Sequence, residues 1–234
     1  MGSIKKDNNT VSISSENLSV KKRYTVGEEI FNSVSHGIGS VLSIIGTVVM
    51  VMLSIIYGSR RALVSSLVYG ISLIILYTMS TVYHAVQIPR AKEILRVFDH
   101  TSIYLLIAGS YTPFCLIALE GNSRAFTVIV AVWICAITGI VLNSINLEKT
   151  EKLGTVLYVI MGWSIIVCLK DVVAALPHNA FLLLLFGGIS YTGGLVFYKM
   201  KNKRYMHSIW HLFVLLGSIL HYLSIVLYVL PMVK

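Results

Sequence analysis

Two histidines four residues apart, His207 and His211, open the apolar stretch 205–230. On a helix, residues four apart differ by roughly 40° of rotation and about one turn of rise, so both imidazoles lie on one face, one above the other. That pair can hold a metal ion between its rings, or it can be two interfacial histidines bonded to their neighbours. The choice turns on whether other ligands reach the same depth. His84 closes the apolar block 63–86, with Ser80 one turn before it on the same helical face, and Asp99-His100 opens the block 99–119.

The elements that must position these groups follow from composition. The chain has 234 residues, 56% hydrophobic and 12% charged, about half the charged fraction usual in a soluble domain. Its apolar residues come in blocks of about 20 without an amphipathic period, which predicts an all-α polytopic membrane protein rather than a soluble enzyme. Residues 1–28 are polar and read as a disordered tail. The remainder, 29–234, reads as one seven-helix transmembrane domain with spans at 29–57, 63–86, 99–119, 125–142, 153–173, 180–198 and 205–230. Arg60-Arg61 form a short turn, 89–98 is a basic link, and 143–152 is a polar loop. Pro113 should kink the third span. The cysteines Cys115, Cys135 and Cys168 lack ligand or disulfide spacing.

Seven spans place the two ends on opposite sides. One side gathers 14 Lys and Arg residues and the other five, so the positive-inside rule puts the N-terminus in the cytosol of a multi-pass cell-membrane protein. No basic patch interleaved with aromatics points to nucleic acid. In this topology His84, Asp99, His207 and His211 reach one depth at the inner face from three spans. Three neutral imidazoles suit Zn²⁺, which with three protein ligands keeps a fourth position for water. Asp99 can orient a ligand or accept a proton from that water, and Ser80 can hydrogen-bond the water or a substrate carbonyl. Each residue has a plainer role: Ser80 bonded to its own helix, Asp99 as a helix N-cap, His84 at the interface. Asn32 and His36 share a face at the inner end of span 1, where His36 is a neighbour of the ligands or displaces one of them. His100 should point away from Asp99, His178 lies in an outer loop, and His221 is about 15 Å along the helix from His211, too far for the same ion.

Glu28-Glu29 with Asn32 and Ser35-His36-Gly37, Ser80-x-x-x-His84, Asp99 with Ser110-Tyr111-Thr112-Pro113, and His207-x-x-x-His211 together resemble the signatures of the haemolysin III family, within the progestin and adipoQ receptor superfamily. The resemblance covers nearly all of the chain from about residue 24. It implies a seven-helix bundle with a cytosolic N-terminus, zinc on His84, His207 and His211, Asp99 and Ser80 beside it, and kinship with membrane hydrolases of ceramide-like amides. The leading expectation is a zinc-dependent intramembrane hydrolase of a lipid amide or ester, with membrane lipids as partners. The second is a non-catalytic sensor or regulator of lipid state with a structural zinc. The third is a cytolysin, which the nearly charge-free spans argue against because a pore needs a polar lumen.

Overall fold

The computed structural model describes residues 24–200 and 202–233. The polar segment 1–23 and Lys234, which entered the charge count, lie outside the described residues. All described secondary structure is helical: α1 (Val26–Ile56), α2 (Arg60–Ala85), α3 (Pro89–Pro113), α4 (Ser123–Trp163), α5 (Leu169–Ala175), α6 (His178–Lys199) and α7 (Met206–Ser224).

The boundaries depart from the sequence reading where local capping decides them. Thr25 caps α1 through a reciprocal box, its hydroxyl accepting from the Glu28 N–H while the Glu28 carboxylate accepts from the Thr25 N–H at 2.8 Å. The helix therefore starts inside the expected tail. Ser59 caps α2, so Arg60 and Arg61 are its first turn rather than a link. Helix α2 ends at Ala85, before Pro89, and Pro89 itself opens α3, because proline at the first helical position loses no hydrogen bond. The stretch 89–98 is accordingly helical, and Asp99 lies ten residues inside α3 and is no N-cap. Pro113 does end the regular helix: Phe114–Ala118 continues as a π-helical turn.

Six helical segments among the described residues are long and apolar enough to cross a membrane. One of them, Ser123–Ala175, has 53 residues, which as a straight helix would be about 80 Å long against a hydrocarbon core of about 30 Å. Asn146 breaks it with φ −157° and ψ 87°. Gly139 and Gly154 both face the side chain of Tyr104, Gly139 at its ring and Gly154 at its hydroxyl, and Gly154 also faces the Asn143 amide. Positions so far apart in sequence can share one side chain only if the chain turns back on itself at the break. The expected ten-residue loop is thus a single non-helical residue between two helical arms.

Helices α1, α2, α3 and α4 pack in succession, α6 pairs with α7, and α7 closes against α1. Small residues set the close approaches. Gly39 of α1 lies under the Tyr77 ring of α2, so near that a methyl group there would sit 2.6 Å from a ring carbon. Tyr77 in turn donates to Ser218 Oγ on α7 at 2.7 Å, which ties three helices together in the core. Side chains on the outer face of α1, such as Ile30, Val41, Ile45 and Met52, are exposed, as suits a lipid-facing surface.

Candidate metal centre

The ends of α1, α2 and α7 converge because their first and last turns are bonded to one another. Glu28 accepts the backbone N–H of Tyr205 at 2.7 Å, and Tyr205 adopts the left-handed conformation (φ 61°) that lets the chain enter α7. This clamp sets the height of His207 and His211 against the first turn of α1. Tyr24 stacks on His207 at 4.8 Å between ring centroids.

His84, His207 and His211 form the metal-capable group, each offering one ring nitrogen and all three nitrogens lying within 4.8 Å of one another. His84 and His211 are buried and His207 is half-buried. The Nε2 atoms of His207 and His211 are 3.1 Å apart. Two ligands of a tetrahedral zinc with bonds of 2.0–2.1 Å stand about 3.3 Å apart, so the pair already has close to the separation of one edge of that tetrahedron. The Nδ1 of His84 bonds Glu29 Oε2 at 2.7 Å, while its buried Nε2 has no partner among the described residues. A carboxylate that accepts from Nδ1–H leaves Nε2 as an unprotonated lone pair, the tautomer a metal requires. The donor set therefore fits a divalent ion that favours imidazole nitrogen.

Glu29 is the site residue whose role sequence reasoning missed. It sits in the first turn of α1, 55 positions from its histidine, and its other oxygen accepts from Lys92 Nζ at 2.8 Å. Lys92 also donates to the carbonyls of Tyr83 and Val86. The signal was a glutamate at the head of an apolar span beside Asn32 and His36. For His84, the carboxylate that fixes the ring is Glu29. His36 is buried and stacks on His211, centroids 3.6 Å apart and planes 12° from parallel. In-plane lone pairs of stacked rings point side by side rather than at a common ion, so His36 is a wall of the site and does not displace a ligand.

Asp99 and Ser80 stand outside the ligating group but line the same cavity as His36, His207 and His211. His100 lines it too, contrary to the expectation that it points elsewhere, because the cavity runs along α3 from Asp99 to Tyr111. His178 begins α6 rather than lying in a loop, and is exposed. The cavity encloses about 1020 Å³ including its mouth. Beyond the histidines its walls are mainly apolar, with Leu76, Ile103, Ile107, Leu195 and Val214 from four helices.

A ring of membrane-length helices enclosing a histidine cluster at one end of an apolar cavity defines a multi-pass helical membrane protein with a metal-capable centre. Residues 24–222 match the family model described as haemolysin-III related, and the chain belongs to that family. It is 41% identical over 206 residues to a protein of Bacillus cereus named Hemolysin-3, covering 88% of this chain and 94% of the relative. A Hemolysin-3 homolog of Bacillus subtilis is 40% identical over 205 residues, covering 88% and 96%. The human Monocyte to macrophage differentiation factor is 28% identical over 213 residues, covering 86% and 84%.

Proposed function

We propose that this protein is a zinc-dependent intramembrane hydrolase of a lipid amide or ester. One observation carries the reading: the metal-capable cluster stands at one end of a cavity whose other walls are mainly apolar and run along α7 as far as His221. In the same reading the chain crosses the membrane seven times, the Asn146 break separating the fourth and fifth crossings. The N-terminus is cytosolic and the centre lies near the inner leaflet.

His84, His207 and His211 hold the ion, which when bound polarises a carbonyl and acidifies a water. Glu29 fixes the ring plane and tautomer of His84. Asp99 accepts the proton of the attacking water and returns it to the leaving amine or alcohol as the acyl bond breaks. The Ser80 hydroxyl, buried and without a partner among the described residues, donates to the carbonyl oxygen. The apolar walls hold the chain and keep bulk water away.

The test is metal content and lipid turnover measured on one preparation. Wild type should carry about one zinc per chain and release fatty acid from lipid amides or esters; Asp99→Asn should keep the zinc and lose turnover. Protein without stoichiometric zinc overturns the reading. An unchanged lipid product profile in Asp99→Asn favours the second reading, a lipid-state regulator in which zinc ties α2 to α7, since all three ligands come from those two helices. Dye leakage from liposomes that survives removal of zinc and of both α7 histidines would favour a cytolysin, the activity recorded in the bacterial relatives' names.

A further inference from the structure

The far end of the cavity holds a second polar group that the hydrolytic centre does not use. His221 lies ten residues after His211 on α7, about 15 Å further along the axis, and lines the same cavity. Its Nε2 is 3.1 Å from the carbonyl of Leu184. A carbonyl can only accept, so Nε2 carries the proton and Nδ1 is left as a bare acceptor in the neutral ring. The Cδ2–Nε2 edge packs against Gly187 of α6, where even a methyl group would collide with it. Nδ1 therefore lies on the opposite edge, away from α6. It is buried and has no partner among the described residues.

The other polar side chains lining that half are committed within the protein. Ser110 Oγ donates to the Ile107 carbonyl, and Tyr111 OH to the carbonyls of Met161 and Gly162. Trp163 Nε1 donates to Thr192 Oγ1, which donates to the Gly188 carbonyl, and Tyr191 OH bonds Ser218 Oγ. The hydroxyls keep acceptor lone pairs but have spent their protons, so Nδ1 of His221 finds no donor among these side chains. A buried acceptor without a donor costs about 1–3 kcal/mol, a cost that a ligand donor would remove.

We infer that His221 reads a hydroxyl or amide N–H on the chain of the ligand, remote from the group that meets the histidine cluster. This rests on the cavity holding a lipid chain, and it narrows the ligand class to acyl chains carrying a donor. An extended chain advances about 1.2 Å per bond, as the peptide backbone does, so the donor lies about 12 bonds from the carbonyl.

Binding of three saturated long-chain fatty acids to the purified full-length protein in detergent tests it without any turnover. One is unsubstituted, one is hydroxylated about 12 carbons from the carboxyl, and one about six. The remote hydroxyl should tighten binding about 3- to 10-fold over the other two. In His221→Leu, which offers no acceptor at this position, the preference should vanish while the unsubstituted acid binds as before. Equal affinities in wild type, or a preference that survives in His221→Leu, overturns the inference and leaves the hydrolase reading standing. Failure of all three acids to bind overturns both.

Discussion

Replacing Glu29 by glutamine tests the metal centre without touching a ligand. In the native site the Glu29 carboxylate takes charge-assisted hydrogen bonds from His84 Nδ1 at 2.7 Å and Lys92 Nζ at 2.8 Å. A glutamine offers one carbonyl oxygen, and its amide donor would face whichever cation or ring N–H that oxygen does not serve. Lys92 retains the Tyr83 and Val86 carbonyls, each at 3.1 Å, so the oxygen is free to turn to His84. What is lost is the difference between a charged and a neutral acceptor, about 1–2 kcal/mol, or roughly 5- to 30-fold in affinity. That overlaps the 10- to 100-fold typical of partners that orient metal-bound histidines. Zinc affinity should be measured by chelator competition on folded, monodisperse protein, with the exposed Glu93→Gln as control. Affinity within twofold of wild type would refute the positioning role. Loss as complete as in His211→Ala would refute it in the other direction, making Glu29 itself a ligand.

His211→Ala should abolish stoichiometric zinc, measured by metal analysis, together with any lipid turnover, because the remaining two imidazoles cannot close the set. Gly39→Ala should lower the unfolding temperature in detergent, by the equivalent of about 1–3 kcal/mol of overpacking, because the Tyr77 ring it meets is held by Ser218 and cannot move aside. Gly188→Ala should be neutral or slightly stabilising in the same assay, since nothing lies within 4 Å of the added methyl and alanine favours a helix by about 0.5–1 kcal/mol. A Gly39→Ala protein as stable as Gly188→Ala would show that the α1–α2 contact is looser than described.

The histidine set was legible because its spacing is local: Ser80-x-x-x-His84 and His207-x-x-x-His211 carry their geometry within single helices. Their convergence was legible through topology, since alternate crossings bring the end of one span and the start of another to the same side. Glu29 was harder to read because its partner lies across a helix–helix contact that no periodicity encodes. The N-terminal half of α3 misled for the opposite reason. Pro89 and the charges of 89–98 look like a link, yet proline at a helix start and lysine side chains reaching back to carbonyls are both favourable. Asp99 consequently enters the cavity from mid-helix. The ten polar residues around Asn146 likewise read as a loop, although one non-helical residue suffices to turn the chain.

Buried polar atoms without partners are costly anywhere in a folded chain, and their distribution argues for where function lies. Among the described residues, Asn32, His36, Ser80, His84, Ser208 and His211 all hold such atoms. All six sit on turns of α1, α2 and α7 at one end of the bundle, around the three nitrogens that approach one another. A bundle selected only for stability would fill that layer with leucine, because lipid-exposed helices gain nothing from an unsatisfied imidazole. The layer is stable enough to persist because Tyr77, Gly39 and the Glu28–Tyr205 clamp hold the three helices from above and below. Stability is thus supplied outside the layer, leaving its lone pairs free for a ligand from outside the chain.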